Sequence, residues 1–350
     1  MPGLLKEESV LVHDQREASQ IYNKGYFGYP VSGGGLELDL IEALYLLESG
    51  RLEVVDGDRP LTFPELTTIV AKAMDDFEVR YIVYRDIRQR GFVVKADYSD
   101  FDYRVYPRGG TPSNSQTKYW ISAISERAAF DFEYYFKQVE ATERTRKELL
   151  FGVVDEEGDL TYYSVNRARP KGQLPPPAEA AVEGTLLHDR VFVFDEAQAA
   201  LVKEIGHYGK DMGKTMQLSL IESCYLMDKG ILTMRNASTG KRLTLNGVMA
   251  RGKKMQYEFE LRLKAYSDLR DKGMVVKTGF KYGSHFRVYE GDPAKDHARY
   301  LVHAVPWDHR TMWPEMSRAV RLAHGVKKEI LFARVSDERI EYMRLRRVRP

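Results

Sequence analysis

The chain has 350 residues, of which 43% are hydrophobic and 30% charged, and its formal net charge is +2. This length allows two domains, and the composition is that of a folded globular protein rather than a disordered chain. No apolar run approaches the roughly 20 residues that span a bilayer, and the N-terminus lacks a signal-peptide pattern, so we expect a cytoplasmic protein with no membrane segment. The balanced charge excludes a uniformly basic nucleic-acid wrapper but permits a local basic patch.

Cys224 is the only cysteine, which excludes an intramolecular disulfide. The chain also lacks a Cys/His cluster at metal-ligand spacing, so we expect no structural zinc site. The surrounding sequence, LIESCYLMDKG, predicts a small buried residue on a helix.

Three pairs of segments recur in the same order, about 180 residues apart. They are DLIEALYLLESG and SLIESCYLMDKG, YRDIRQRGFVVK and YSDLRDKGMVVK, and RKELLFGVV and KKEILFARV. A constant long offset indicates a duplicated domain rather than a short-period solenoid. Clustered prolines in RARPKGQLPPPAEAAVEGT favour an extended linker between the copies. We therefore assign residues 1–168 to an N-terminal repeat, 169–185 to a Pro-rich linker and 186–350 to a C-terminal repeat.

Within each repeat, helices come first and strands follow. LELDLIEALYLLESG and MQLSLIESCYLMDKG have apolar residues at helical spacing and end on glycine. A second amphipathic helix follows in each repeat, LTFPELTTIVAKAM and GVMARGKKMQYEFELRLKAYSDLRDKG. β-rich segments run from GFVVKAD to LLFGVVD and from GMVVKTG to ILFARV, with one more helix, SRAVRLAHGVKKE, in the second repeat. This order predicts an α+β fold in tandem duplication, each repeat having a helix-rich N-terminal subdomain followed by a mixed β-sheet subdomain with flanking helices.

The histidines are distributed unevenly between the repeats. Only His13 lies in the first repeat. The second repeat contains the other seven, His188, His207, His285, His297, His303, His309 and His324. This asymmetry is expected if one copy of a duplicated fold is catalytic, although drift at surface positions would also produce it.

FRVY, HARYLV and RLAHGVKKEILFA follow one another in the second repeat, and residues 269–289 carry the pattern LxxxGxVVKxGxKYGxHFRVY. These motifs resemble the catalytic domain of the tRNA-splicing endonucleases, and the longer pattern is similar to the archaeal members. The match covers most of the second repeat and, more weakly, the first. The resemblance implies a nuclease that uses no metal ion and no small-molecule cofactor. It also implies cleavage of precursor tRNA at a bulge-helix-bulge, leaving a 2′,3′-cyclic phosphate and a 5′-hydroxyl.

The family's catalytic tyrosine, histidine and lysine match Tyr289, His297 and Lys328, with Lys327 as an adjacent alternative to the lysine. Histidine suits the general acid because its ordinary pKa is about 6.5, and lysine supplies a compact cation for the developing negative charge. Tyrosine is a weak base at its ordinary pKa of about 10. Tyr289 would therefore either need a nearby positive charge or act by orienting the attacking 2′-hydroxyl.

The matched positions in the first repeat are Tyr106, Gln116 and Lys147. Glutamine cannot exchange a proton near neutral pH, so the trio is broken where acid catalysis is needed. The first repeat is therefore expected to be a degenerate, non-catalytic scaffold, and the second repeat is expected to be catalytic.

The resemblance also implies two arginines that clamp a bulge base. Arg321, seven residues before Lys328, matches one of them. The other comes from the C-terminal tail, EYMRLRRVRP, in which Arg344, Arg346 and Arg347 are all candidates. Arginine guanidinium planes suit this role because they stack on bases and neutralise phosphates.

VVDEEGDLTYY in the first repeat has the composition of a hairpin turn, and its counterpart ARVSDERIEY is shorter by about two residues and less acidic. The family inserts this loop into a positively charged cleft of a partner subunit, which makes Asp155, Glu156, Glu157 and Asp159 candidate assembly contacts. A solvated turn is the alternative. Because the substrate has two related cut sites and each chain has one intact trio, we expect a homodimer.

Two other functions remain open from the residues alone. A non-catalytic RNA-binding or assembly subunit is disfavoured by the intact trio. A metal-dependent nuclease would need clustered carboxylates, which ELLFGVVDEEGD offers only at a presumed turn of the histidine-poor repeat. Activity in excess chelator distinguishes a metal-independent nuclease from a metal-dependent one.

Overall fold

The structure is a computed structural model that describes residues 2–97 and 99–350. Within these residues the first repeat contains five helices and twelve strands, in the order β1 Gly3–Leu5, β2 Ser9–Val12, α1 Gln15–Gly25, β3 Tyr29–Pro30, β4 Leu36–Asp39, α2 Leu40–Glu48, β5 Val54–Asp56, β6 Arg59–Pro60, α3 Phe63–Ala73, α4 Phe77–Gln89, β7 Val94–Ala96, β8 Tyr103–Val105, β9 Tyr119–Ser125, β10 Ala129–Asp131, α5 Phe132–Thr145, β11 Glu148–Val154 and β12 Leu160–Ala168.

The second repeat has the same element order and adds one 3-10 turn, Phe280–Tyr282. Its elements are β13 Val182–Leu186, β14 Arg190–Val193, α6 Glu196–Glu204, β15 Lys210–Asp211, β16 Met216–Ser219, α7 Leu220–Asp228, β17 Leu232–Asn236, β18 Arg242–Leu243, α8 Leu245–Met255, α9 Phe259–Asp271, β19 Val275–Thr278, β20 Phe286–Tyr289, β21 Tyr300–Pro306, β22 Arg310–Met312, α10 Trp313–Gly325, β23 Glu329–Val335 and β24 Ile340–Val348. Each strand of the first repeat therefore has a counterpart numbered twelve higher, and each helix one numbered five higher. The predicted duplication and the α+β class are confirmed.

The N-terminal subdomains also contain strands that the helical pattern did not indicate. Each has a six-stranded sheet, ordered β3-β4-β2-β1-β5-β6 in the first repeat and β15-β16-β14-β13-β17-β18 in the second. These strands are two to five residues long, too short for their alternation to stand out in the sequence.

Two helix predictions need correction. The segment from residue 247 to 273, predicted as one helix, is α8 followed by α9, because Gln256 is extended and Glu258 has a positive φ of 53°. The helix predicted before the last strands of the second repeat is α10, and the first repeat has the equivalent helix α5. Its sequence, FEYYFKQVEATERT, buries an aromatic face that was not recognised as helical.

A ten-stranded sheet joins the two repeats. Its order is β19-β20-β21-β23-β24-β12-β11-β9-β8-β7, and its centre is the antiparallel pair β12 and β24. A two-stranded sheet, β10 with β22, makes a second connection between the repeats. The C-terminal segment predicted as a tail is therefore a central strand, in which Met343 and Leu345 are buried while Arg346 and Arg347 are exposed.

Hydrophobic cores lie on both faces of this sheet. One core belongs to each repeat and continues into its N-terminal subdomain. A third core is shared, because α5 and α10 pack together over the middle of the sheet. Trp313 of α10, 1% exposed, lies with its ring 5.0 to 6.1 Å from four aromatic rings of the first repeat, Phe130, Tyr135, Phe151 and Tyr163.

Each N-terminal subdomain is joined to the large sheet by a lysine, Lys95, which is buried, or Lys277, which is half-buried. The Nζ of Lys95 on β7 lies 3.6 Å from a carboxylate oxygen of Glu42 on α2. The equivalent atoms of Lys277 and Glu222 are 3.7 Å apart. Burial lowers the pKa of both lysines. Because the same pair occurs in both repeats, the joint is part of the duplicated unit.

The segment between the repeats runs against the second repeat. The N–H groups of Gly172 and Leu174 donate to the carbonyls of Lys272 and Gly273 at 2.9 and 3.0 Å. The following strand, β13, begins at Val182, inside the range 169–185 assigned to the linker from the sequence. Among the described residues, none of the helices is long and apolar enough to cross a membrane.

Candidate active site

Three neighbouring strands of the second repeat meet at one end of the large sheet, where β20 ends and β21 and β23 begin. Val288 of β20 pairs with Tyr300 of β21, and Tyr300 pairs with Glu329 of β23. The Arg299 N–H donates to the Val288 carbonyl at 3.0 Å, and the Glu329 N–H donates to the Arg299 carbonyl at 3.0 Å. These bonds fix the relative positions of the residues that flank the three strands.

The candidate catalytic residues flank the place where these three strands meet. Tyr289 is the last residue of β20, His297 lies three residues before β21, and Lys328 immediately precedes β23. Tyr289 is only 8% exposed and packs against Ala298, the neighbour of His297. The structure therefore brings all three positions to one end of the sheet.

His297 and Lys328 are accessible at this end of the sheet. The His297 side chain is exposed, and that of Lys328 is half-buried. The Lys328 ammonium lies 5.6 Å from the centre of the Tyr282 ring. A proton donor and a cation can therefore both meet a ligand that approaches from solvent.

In the first repeat, the side chains at the positions matched to His297 and Lys328 are in contact. The Lys147 Nζ donates a hydrogen bond to the Gln116 Oε1 at 2.6 Å. Lys147 and Lys328 occupy the same place, since each follows a residue of positive φ, Arg146 or Lys327, at the end of a helix. This correspondence favours Lys328 over Lys327.

Two other histidines of the second repeat have structural surroundings. Burial lowers the pKa of His285 and of His303 to about 4. The His285 Nδ1 accepts a hydrogen bond from the Ala304 N–H at 3.1 Å, and the two imidazole rings are 5.4 Å apart. Both rings are neutral near pH 7. Part of the excess of histidines in the second repeat therefore reflects internal packing rather than the candidate active site.

The candidate RNA-binding arginines differ in their surroundings. Arg344 is already held, because its guanidinium lies 3.0 Å from Glu329 and donates to Asn166 at 3.1 Å. Arg346 and Arg347 are exposed and line a surface pocket of about 520 Å³ together with Lys328. Within the described part of the chain, neither of these two side chains has a hydrogen bond or ion pair.

The first repeat shows which of these positions lie next to each other. Arg167 on β12 forms ion pairs with Glu140 and Glu143 on α5, at 2.6 and 3.3 Å. Register and sequence match these positions with Arg347 on β24 and with residues 321 and 324 on α10. In the second repeat these two helix positions hold Arg321 and His324. The two acids that flank Arg167 in the first repeat are therefore replaced by two basic side chains.

The candidate assembly loop is the hairpin between β11 and β12. Asp155 holds the turn, because its carboxylate accepts from the N–H groups of Glu157 and Asp159 at 3.1 and 2.8 Å. Glu156 pairs with Arg127 at 2.9 Å. Glu157 and Asp159 are exposed and, within residues 2–97 and 99–350, make no side-chain hydrogen bond or ion pair. These two acids are the ones free to meet another molecule.

The equivalent loop of the second repeat is held by its own chain. It spans residues 336–339, so it is one residue shorter than its counterpart rather than about two. The Lys264 Nζ lies 2.5 Å from an Asp337 oxygen. Ile82 occupies the position of Lys264 in the first repeat, so no lysine reaches the acidic loop from that helix position.

Comparisons with known proteins identify the domains of both repeats. A family model described as "tRNA intron endonuclease, catalytic C-terminal domain" matches residues 77–162 and 259–342. A second, "tRNA intron endonuclease, N-terminal domain", matches residues 1–67 and 182–249. Together they cover most of the chain, each twice. The chain belongs to the tRNA intron endonuclease family.

Relatives align with this chain over its whole length. A "tRNA-splicing endonuclease" of Methanococcoides burtonii is 41% identical over 100% of both chains. The Methanosarcina mazei protein of that name is 38% identical over 99% of this chain and 98% of its own. That of Halobacterium salinarum is 34% identical over 100% of both. Membership of this family makes the chain an enzyme that carries the family's catalytic domain twice.

Sequence reasoning missed two arginines of the second tRNA intron endonuclease repeat. Within the described residues, Arg262 and Arg287 each have a shielded Nε without a hydrogen-bond partner. Burial lowers the pKa of Arg262. The signal was available in the alignment of the two repeats, since both arginines have counterparts, Arg80 and Arg104, that face aspartates in the first repeat only.

Proposed function

We propose that this protein cleaves precursor tRNA at the bulge-helix-bulge of intron junctions without a metal ion, leaving a 2′,3′-cyclic phosphate and a 5′-hydroxyl. The observation that carries the proposal is the alignment of Tyr289, His297 and Lys328 at one end of three adjacent strands of a family catalytic domain. A cytoplasmic location stays a prediction from the sequence.

The chemistry assigns one role to each side chain. The 2′-hydroxyl next to the scissile bond attacks phosphorus while Tyr289 orients it or removes its proton. The exposed imidazolium of His297 gives a proton to the departing 5′-oxygen. Lys328 stabilises the negative charge that builds up on the phosphate oxygens. The new P–O2′ bond closes the cyclic phosphate as the P–O5′ bond breaks.

Incubation of the wild-type protein with an intron-containing tRNA precursor in excess chelator tests this proposal. We expect cleavage at both intron junctions and a cyclic phosphate on the 5′ product. Cleavage that stops in chelator would identify a metal-dependent nuclease. RNA binding without cleavage would identify a non-catalytic subunit of a splicing endonuclease.

For the bulge base, we propose that Arg321 and Arg347 form the clamp. Support comes from the first repeat, where the matched positions 140 and 167 are in contact at 2.6 Å. Arg344 is engaged by Glu329, so its guanidinium is less available to RNA than that of the exposed Arg347. Arg346 stays a second basic contact in the same pocket.

Replacing Arg321 or Arg347 with alanine is expected to weaken RNA binding by about 10- to 100-fold, because one stacked base contributes about 1–3 kcal/mol. Fluorescence anisotropy with a bulge-containing RNA measures the change. Arg318→Ala is the control, since it removes the same charge from α10 at an arginine paired with Glu315. Equal losses in all three variants would contradict a specific clamp.

For assembly, we propose a homodimer in which the acidic loop of each first repeat docks on the second repeat of the partner chain. Glu157 and Asp159 are the unpaired acids of this loop. Arg262 is the candidate recipient because the aspartate that faces its counterpart, Asp102, is replaced by His285. A docked carboxylate would compensate the half-buried guanidinium.

Replacing both Glu157 and Asp159 with lysine is expected to give monomers, because two attractive contacts per interface become repulsive. Sedimentation velocity measures the change. The matched control is Asp337→Lys, whose aspartate is already paired with Lys264 within its own chain, and this variant should remain dimeric. A dimeric double variant would contradict the assignment of the loop.

A further inference from the structure

Three arginines occur at matched positions in the two repeats, but only those of the first repeat face carboxylates. Arg80, Arg104 and Arg167 lie 3.2, 3.0 and 2.6 Å from carboxylate oxygens. Their counterparts are Arg262, Arg287 and Arg347, whose side chains have no hydrogen bond or ion pair within the described residues. The clamp and the assembly contact account for two of these, which leaves Arg287.

Arg287 lies in the proposed catalytic site. It is two residues before Tyr289 on β20, so both side chains are on the same face of the sheet. Its guanidinium carbon is 5.9 Å from the centre of the Tyr289 ring. The side chain is half-buried, and its Nε is shielded from solvent with no hydrogen-bond partner among the residues that the structure describes.

The neighbours of Arg287 leave its charge uncompensated. Lys277 on β19 lies directly opposite it in the register. The nearby carboxylate, Glu222, already pairs with Lys277 at 3.7 Å and accepts from the Gly209 N–H at 2.9 Å. Lys277 therefore adds a second positive charge beside Arg287, and its own carboxylate partner is already engaged.

In the first repeat, the arginine at the matched position, Arg104, has two side-chain partners. Arg104 forms an ion pair with Asp97 at 3.0 Å and donates to the Tyr29 hydroxyl at 3.3 Å. Gly279 takes the place of Asp97, since its N–H donates to the His285 carbonyl as that of Asp97 donates to the Asp102 carbonyl. Lys210 takes the place of Tyr29. Both partners are thus lost in the repeat that keeps the catalytic histidine.

A half-buried guanidinium without an anion is costly, so a negatively charged ligand at this position would gain an unusually strong contact. We propose that Arg287 binds a non-bridging oxygen of the phosphodiester at which the RNA is cleaved, and that it is a fourth catalytic residue beside Tyr289, His297 and Lys328. This inference rests on the proposed function of that site. Arg287 exchanges no proton; its N–H donors stabilise the charge that appears on phosphorus oxygens as P–O2′ forms and P–O5′ breaks.

Single-turnover cleavage at saturating enzyme, together with RNA affinity, tests the proposal in Arg287→Ala, Arg287→Lys and the matched control Arg104→Ala. Removal of one donor to a transition-state anion costs about 10²–10³-fold in rate. We expect that loss in Arg287→Ala with affinity changed by less than about tenfold, a smaller loss in Arg287→Lys, and wild-type behaviour in Arg104→Ala. Guanidinium ion at a concentration that does not unfold the protein should partly rescue Arg287→Ala and leave the wild type unchanged.

The outcomes separate this inference from the proposed function. Wild-type protein that does not cleave would overturn the proposed function and the role of Arg287 with it. An active wild type with an equally active Arg287→Ala would overturn only the role of Arg287. So would a loss confined to RNA affinity, or a slow variant that lacks rescue and melts at a lower temperature than Arg287→Lys.

Discussion

His297→Ala is expected to slow RNA cleavage by about 10²- to 10⁴-fold, because the departing 5′-oxygen loses its proton donor. His297 is exposed, so its removal leaves no buried cavity, and the stability of the protein should change by less than about 0.5 kcal/mol. Single-turnover cleavage of a tRNA precursor measures the rate, and the melting temperature checks the fold. RNA affinity should stay close to that of the wild type.

The matched control is Gln116→Ala in the first repeat. It removes the hydrogen bond between Gln116 and Lys147 but touches no residue of the proposed catalytic trio. We expect wild-type cleavage from this variant. A His297→Ala protein that cleaves at the wild-type rate, or a Gln116→Ala protein that loses activity, would contradict the division between a catalytic and a scaffold repeat.

Trp313→Ala is expected to destabilise the protein by about 3–5 kcal/mol, the usual loss when a large aromatic side chain is deleted from a core. Trp313 belongs to the second repeat, but the rings around it belong to the first. The deletion therefore weakens the contact between the repeats rather than the core of either one. Urea unfolding, followed by far-UV circular dichroism, measures the loss.

Trp307→Ala is the control for Trp313→Ala. Trp307 is half-buried, and its contacts are the guanidinium groups of Arg334 and Arg339, 3.7 and 4.6 Å from its ring. Deleting it removes the same atoms without opening a buried cavity, so the loss should be clearly smaller. Equal losses for the two tryptophans would contradict a central role of Trp313 between the repeats.

Much of the architecture could be predicted because the same series of segments occurs in both repeats. Helices such as α2 and α7 combine apolar spacing with a capping box, so their sequences alone indicate where they begin. The break between α8 and α9 could not be foreseen, because it is made by Glu258 in a left-handed conformation rather than by glycine or proline. The strand β24 was missed because its arginines, Arg344, Arg346 and Arg347, suggested a solvated tail.

The candidate active site could be predicted only in part from the sequence. Motif spacing pointed to Tyr289, His297 and Lys328, but their common level depends on the strand register, which no local pattern encodes. The choice between Arg346 and Arg347 needed the ion pair of Arg167 with Glu140 in the first repeat. The importance of Arg287 lies in a missing partner, which becomes visible only when the contacts of both repeats are compared.

The position of β24 also affects how the protein is made. Among the strands of residues 2–97 and 99–350 it is the last to be synthesised, yet it lies in the middle of the ten-stranded sheet, between β23 and β12. Until residues 340–348 have left the ribosome, β12 is an exposed edge strand and the aromatic surface of α5 is only partly covered. The two halves can each collapse early during translation, but the joined sheet closes only once β24 has been made. The growing chain therefore exposes an unpaired strand edge between the synthesis of β12 and that of β24, a period in which chaperones or slow translation would have the greatest effect on yield.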